Sequence, residues 1–237
     1  MRYRTADAGN GYTLEARIPA RSAVLEGEVH VGEESRGIVL FAHGSGSSRH
    51  SARNQLVARS LRDAGLGTLL FDLLTREEEA VDLVTRHLRF DIGLLAERLV
   101  HASRWVRSRP ETRELKIGYF GASTGGGAAL VAAAELGNEI GAVVSRGGRP
   151  DLAADALTGV KSPTLLIVGG LDEPVIKLNE EALALLRCEK QLRIVRGATH
   201  LFEEPGALEE VARLAGEWFG RHLHGRPDAG VRPGKGV

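Results

Sequence analysis

Ser123, Asp172 and His200 are the residues of this 237-residue chain whose types and order could support covalent catalysis. A serine hydroxyl is a poor nucleophile at neutral pH. It needs a base within hydrogen-bond reach, and that base needs an acceptor that fixes its tautomer. Serine, histidine and aspartate supply those three functions. Ser123 stands in Gly121-Ala122-Ser123-Thr124-Gly125, a G-x-S-x-G stretch. That motif has a mechanical meaning only where a strand turns sharply into a helix, because the turn then pushes the serine out as a nucleophile. Alone it is a weak signal in a chain with 30 glycines, so the elements around it have to be read.

Short apolar runs alternate with helix-like stretches. "RGIVLFAHG" (36–44), "LGTLLFDLL" (66–74), "LKIGYF" (115–120), "IGAVVSRGG" (140–148), "SPTLLIVGG" (162–170) and "KQLRIVRG" (190–197) read as strands. Strands made of continuous Val, Ile and Leu are buried on both faces, as in a parallel sheet covered by helices. Between them, 51–65 carries helical spacing with Ser51 as N-cap and Gly65 as stop, and 77–108 is charged, leucine-rich and helical in period. Residues 125–136 and 205–223 read as further helices. The pair "YTLEARIP" and "AVLEGEVHV" alternates in a more polar way and is expected to form an antiparallel hairpin at one sheet edge. Strict strand–helix alternation gives an α/β fold. Residues 1–22 are expected as an N-terminal edge segment, 23–223 as the catalytic domain, and 224–237 ("HGRPDAGVRPGKGV") as a loosely ordered tail.

Ligands of parallel α/β sheets bind beyond the carboxyl ends of the strands. Those ends carry His43-Gly44-Ser45, the Ser123 turn, Ser145-Arg146, Leu171-Asp172 and Thr199-His200, so the three candidate catalytic residues share one rim. Thr124 starts a helix, and its free backbone N–H can point at a developing oxyanion. A second N–H is expected from Ser45 in "HGSGSS". His43 could help donate to the oxyanion or contact the substrate but is expected first to brace its loop, and Arg146 is a candidate substrate contact because an arginine at a strand's carboxyl end can select a carboxylate or phosphate. Arg149 ends the same strand and is an equivalent candidate, whereas Arg49, His50, Arg53 and Asn54, at a helix start, could bind an anionic group but are read first as a solvated first turn. Asp151 and Glu173 are rivals for the acid, Asp151 one strand too early and Glu173 adjacent to Asp172.

Bulk properties exclude some classes. Lys+Arg and Asp+Glu are both 31, so no basic excess favours nucleic acid or an anionic membrane. The single cysteine, Cys188, rules out an internal disulfide. The first twenty residues contain no apolar core of signal-peptide length, and no segment approaches the roughly 18 apolar residues of a membrane span. The default expectation is a cytoplasmic monomer or small homo-oligomer that takes a small-molecule ester and needs no metal or organic cofactor.

With these residues in place, the chain resembles the α/β-hydrolases, and more narrowly the dienelactone hydrolase-like group, over about residues 23–223. "FAHGSGSS", "GASTGG", "GGLDEPV" and "GATHLF" carry the likeness, and the chain order Ser, Asp, His is that of α/β-hydrolases. "SSRHSARNQLVARSLRDAGLGTLLFDLLT" and "VVSRGGRPDLA" are similar to hydrolase domains sometimes joined to phosphoribosyltransferase domains. The resemblance implies an eight-stranded, mostly parallel sheet with helices on both faces, no large cap domain, and ester hydrolysis through an acyl-enzyme. Dienelactone hydrolase itself uses a cysteine nucleophile. The serine here shifts the expectation from a dienelactone to ordinary carboxylic esters. A thioesterase, a lactonase or an acyltransferase would leave nearly the same sequence trace, and a non-catalytic binding module on the same fold is the reading from another class. The 49 positions from Ser123 to Asp172 and the 28 from Asp172 to His200 leave no room for a large inserted cap, so the site is expected to be open and to suit short, soluble esters.

Overall fold

The computed structural model describes residues 3–7 and 11–223; the expected loose tail, 224–237, lies outside the described residues. Among the described residues nine strands form one sheet: β1 (Tyr3–Asp7), β2 (Gly11–Ala20), β3 (Ala23–Gly32), β4 (Gly37–Ala42), β5 (Gly67–Phe71), β6 (Lys116–Ala122), β7 (Ile140–Arg146), β8 (Thr164–Gly169) and β9 (Lys190–Val195). Their order is β1-β2-β3-β5-β4-β6-β7-β8-β9. The eight strands expected from sequence are β2 to β9, and β1 adds a short outer strand antiparallel to β2. β2 and β3 form the expected hairpin, paired from Gly11–Gly32 to Ala20–Ala23, and β3 runs antiparallel to β5. From β5 through β9 every pairing is parallel.

Among the described residues six α-helices complete the fold: α1 (Ala52–Asp63), α2 (Arg76–Thr85), α3 (Ile92–Arg107), α4 (Thr124–Leu136), α5 (Glu173–Leu185) and α6 (Ala207–His222). The central strands are continuous apolar runs because both faces are covered. All six residues of β4 are buried, as are all five of β5. One face packs Ile38, Leu40, Ile117 and Tyr119 with α3 and α4; the other packs Val39, Phe41, Phe120 and Val144 with α1 and α6. On that second face Phe41 and Phe120 meet with ring centroids 5.0 Å apart, tilted by 38°. β7 alternates the same way, so Val144 and then Arg146 share the side facing α1.

Ser51 caps α1 as expected, its hydroxyl accepting from the Asn54 N–H, and Gly65 stops the segment at φ +79°. The stretch 77–108, expected to be helical throughout, is instead broken. α2 ends at Arg86, which sits in the left-handed region at φ 57°. A 3-10 turn, Leu88–Phe90, follows, and α3 begins with Asp91 as its N-cap, accepting from Leu94 N–H. The break is side-chain driven: the buried Asp82 carboxylate takes the N–H groups of Leu88 and Arg89 and the Arg89 guanidinium.

α2 is fixed to the body through Arg98 on α3. Arg98 is buried and donates from one terminal nitrogen to Ala20 O (3.1 Å) and from the other to Glu78 Oε1 (2.6 Å). Glu78 itself closes the Thr75–Glu78 capping box. Arg98→Met is therefore expected to leave a carbonyl and a carboxylate without their donor and to destabilise the fold by about 2–4 kcal/mol. The check is the urea midpoint, which should fall with an unchanged denaturant slope.

Candidate active site

β6 ends in Gly121-Ala122, and α4 begins at Thr124, so Ser123 is the single residue between strand and helix. Its backbone sits at φ 50°, ψ −122°. Such a conformation costs a non-glycine residue of order 1–3 kcal/mol and persists only where the surroundings enforce it. Here the flanking glycines do so. A Cβ at Gly121 would stand 2.5 Å from Gly125 O, and one at Gly125 would stand 2.1 Å from Ala42 O and 2.6 Å from His43 O. Without side chains at both positions, α4 can lie directly against the end of β4. The turn is pinned on the other side by Ser123 N–H donating to Arg146 O and by Arg149 N–H donating to Ser123 O.

Asp172 follows β8 and is the N-cap residue of α5; its side chain makes no capping bond and is free to turn into the rim. There its Oδ2 lies 2.6 Å from His200 Nδ1. Asp172 is the more buried of the two, with 13% of its side chain exposed against 38% for His200. His200 is carried on the loop after β9, which packs against the end of β7: a Cβ at Gly147 would be 3.2 Å from His200 O and 3.6 Å from its Cε1. Since the residue before Gly147, Arg146, bonds the Ser123 N–H, serine and histidine flank the same strand end. The described residues show no Ser123–His200 hydrogen bond; such bonds often tighten only in the substrate complex.

The other expected site residues fall in two groups. Ser45 and Thr124 are together, but Ser45 N–H donates to Thr124 Oγ1 (3.0 Å), so in the resting structure that amide already has an acceptor. His43 is a brace. Its Nε2 accepts from Leu73 N–H (3.0 Å) and its Nδ1 lies 2.9 Å from Gly44 O, which leaves no ring nitrogen for a substrate. Of the two roles expected of His43, the brace is the one the structure shows, and its alternative as a polar substrate contact is corrected. Burial pushes its pKa below the ordinary 6.5, opposed by its bond to Gly44 and by the Asp72 and Glu79 charges. A histidine kept neutral in the fold binds fewer protons than in the unfolded chain, so its contribution to stability is complete above about pH 6.5 and is lost as pH falls toward its folded pKa. The melting temperature should drop on acidification below about pH 6.5, and His43→Gln should show a shallower drop.

Arg146 is buried, 7% exposed, at the end of β7. Among the described residues no carboxylate lies within salt-bridge reach of it, and its guanidinium sits 5.8 Å from the Phe202 ring centroid. Arg149, its neighbour on the same rim, is instead bound at both ends to Asp151 at 2.8 and 2.7 Å, which occupies both the arginine and the rival acid. Glu173 is exposed on the first turn of α5. Arg49 is held by Asp72 and Glu26 and anchors the 44–50 loop.

Beside Thr124 a cleft opens between the 43–48 loop, Leu73, Leu74, Leu95 and the Asp82–Arg89 pair. Burial pushes the Asp82 carboxyl up, but its bonds from Arg89 and from the backbone N–H of Leu88 more than offset this and hold it below the usual carboxylate range. The 76–90 segment thus forms one wall of the cleft. Sequence reasoning missed this wall because it sought a cap in the intervals after Ser123. The available signal was the T-x-x-E capping box at Thr75–Glu78, which announces a separate short helix.

A mostly parallel sheet sandwiched by helices, with a serine turn after a central strand and an Asp–His pair on the same rim, is the α/β-hydrolase fold. The chain belongs to the dienelactone hydrolase family, whose sequence profile matches residues 23–221. The chain is 60% identical to a dienelactone hydrolase from Anabaena variabilis ATCC 29413 of known crystal structure, with a TM-score of 0.89 over 91% of this chain and 100% of that one. Two relatives from Mycobacterium tuberculosis, each named "Putative phosphoribosyl transferase", are 56% identical over 216 residues. That match covers 91% of this chain but only 48% of theirs, so the chain spans about half the length of those relatives. Est1E from Butyrivibrio proteoclasticus, at 15% identity and a TM-score of 0.74, shares the fold. No helix among the described residues is long and apolar enough to cross a membrane.

Proposed function

We propose that the chain is a serine hydrolase that cleaves carboxylic esters of small, soluble substrates through an acyl-enzyme. The observation that carries this reading is the 2.6 Å Asp172–His200 contact on the same rim as a serine held at φ 50°, ψ −122°. Asp172 accepts a hydrogen bond from the Nδ1–H of His200, which leaves Nε2 as the lone-pair nitrogen. Nε2 takes the Ser123 proton as Oγ attacks the carbonyl carbon. The negative charge that develops on the carbonyl oxygen is met by the N–H groups of Thr124 and Ser45. A charge-assisted bond is about twice as strong as a neutral one, so the oxyanion displaces Thr124 Oγ1 from the Ser45 amide. His200 then protonates the leaving alcohol. Water, deprotonated by His200, attacks the acyl carbon and releases the acid and Ser123.

The apolar part of the cleft, Leu73, Leu74 and Leu95, suits a short acyl group. The relatives' transferase name is not carried over, because the half of them that this chain matches is the hydrolase family's half. The mechanism draws only on side chains and backbone and needs no metal, nucleic acid, membrane or second subunit; a cytoplasmic monomer or small homo-oligomer is the assembly we infer. A panel of acetyl to octanoyl esters, a thioester and a lactone tests the reading. Turnover should be highest for short oxygen esters, with a burst of alcohol equal to the enzyme when deacylation is slow. A thioester or lactone preferred over every oxygen ester would refute the substrate assignment while leaving the triad standing.

A further inference from the structure

Asn179 is fully buried, yet it is a polar side chain on the buried face of α5, between Val175 and Ala182. A buried amide is unfavourable unless its hydrogen-bonding groups are met. Here they are met on one side only. Nδ2 donates to Gly148 O at 3.1 Å and to Val175 O at 2.8 Å, whereas Oδ1 is buried without a partner. The two carbonyls fix the orientation of the amide, because an oxygen in place of Nδ2 would face two acceptors. A leucine would fill a similar volume without the orphan acceptor. What it would not supply is a donor for Gly148 O.

Gly148 belongs to the 145–149 turn at the end of β7, and this turn meets the elements of all three catalytic residues. Arg146 O accepts from the Ser123 N–H at 3.2 Å, and the Arg149 N–H donates to Ser123 O at 3.0 Å, so the backbone of the nucleophile is clasped on both sides. Gly147, at φ 51°, lies against the His200 loop, where a Cβ would stand 3.2 Å from His200 O. Gly148 itself is wedged under the first turn of α4. A Cβ on it would collide with Ser145 Oγ and lie 3.5 Å from Gly126 Cα. Asp172 is joined to the turn through α5. It is the N-cap residue of that helix, and its carbonyl accepts from the N–H groups of Val175 and Ile176. Asn179 lies seven positions further on. Seven residues make two helical turns to within about 20°, so Asp172 and Asn179 share one face of α5, about 10 Å apart along it. The Asn179 amide therefore ties the helix that carries the acid to the turn that clasps the nucleophile.

We propose that Asn179 is a positioning residue for the triad: by holding Gly148 O it fixes the 145–149 turn against α5, and so sets the Ser123 backbone and the Asp172–His200 pair in one geometry. It touches neither the substrate nor the reacting atoms. This role deepens the hydrolase reading and rests on it for the reaction served; the link between α5 and the turn stands apart from it. The leverage is large because a misplacement of about 1 Å, caused far from the chemistry, can cost about 100-fold in rate.

Two variants remove the link. Asn179→Leu deletes the donor at similar volume. Asn179→Ser keeps a hydroxyl, but a helical serine bonds back to the carbonyl four residues earlier, here Val175 O, and does not reach Gly148. It serves should the leucine variant fail to fold. Ala182→Gly is the control, a weakening of the same helix face without contact to the turn. Urea midpoints, steady-state kinetics on a short ester, the rate of fluorophosphonate labelling and amide hydrogen exchange are measured on all four proteins. In the Asn179 variants kcat should fall about 10–100-fold with KM within about threefold of wild type, and labelling should slow by a similar factor. The Arg149 amide, which bonds Ser123 O, should exchange at least about tenfold faster while the amides of β4 are unchanged. Ala182→Gly should lower the urea midpoint and keep kcat within about twofold. A folded Asn179 variant with wild-type kcat overturns the proposal. So does an equal loss of kcat in Ala182→Gly, which would reduce Asn179 to a stabilising residue of α5. A wild-type protein that neither turns over esters nor takes the label fails the hydrolase reading alone. The link is then decided by the Arg149 amide: faster exchange in the Asn179 variants upholds it, and unchanged exchange overturns it.

Discussion

Ser123→Ala is expected to lower ester turnover by about 10⁴-fold or more, since removing the nucleophile of a unit that acts together abolishes nearly all of its contribution. The melting temperature should barely move. Ser123 Oγ makes no hydrogen bond among the described residues, and alanine at φ 50° inherits the same backbone strain as serine. Ser123→Gly separates the two effects further. It should be as inactive as the alanine variant but more stable by about 1–2 kcal/mol, because glycine adopts that conformation without strain. An inactive yet more stable protein would show that the turn stores strain for the reaction. Kinetics on a short ester and a thermal melt of the same three samples check both statements.

The second large effect belongs to Gly125. A Cβ there would stand 2.1 Å from Ala42 O and 2.6 Å from His43 O, and both contacts are backbone. Neither partner can rotate away, since Ala42 is hydrogen-bonded into β4 and His43 is clamped at both ring nitrogens. Gly125→Ala must push α4 off the sheet, and we expect a loss above about 4 kcal/mol, at the level where a marginally stable domain no longer folds. The comparison is Gly220→Ala in α6, where a Cβ meets nothing within 4 Å. That change should stabilise the helix by about 0.5–1 kcal/mol. Soluble yield and urea midpoints of the two variants, measured side by side, should move in opposite directions.

Much of this architecture was legible because the central strands are unbroken apolar runs. "RGIVLF" and "TLLIVGG" have no polar face, which fixes parallel pairing under two helical layers before any contact is known. The rim residues followed, since each ends such a run. The segment 76–90 was not legible as two elements, because its break depends on Asp82 reaching forward to Leu88 and Arg89, a bond that no periodicity reports. His43 looked like a possible substrate contact because its sequence position is at the rim; its two backbone partners, Gly44 and Leu73, come from different strand ends. Arg146 and Arg149 were equivalent in sequence. Only the fold shows that Asp151 neutralises Arg149 and that nothing comparable meets Arg146. Likewise the Thr124 hydroxyl, which holds the Ser45 amide, is a side-chain rotamer and not a pattern.

The most direct test of the central claim is the intact mass of the protein after exposure to a fluorophosphonate, for wild type and Ser123→Ala in parallel. A serine activated by the His200–Asp172 pair attacks the phosphorus and expels fluoride, so the account predicts one covalent adduct on wild type and none on the variant. An unmodified, folded wild-type protein, or an adduct of equal yield on Ser123→Ala, would contradict it.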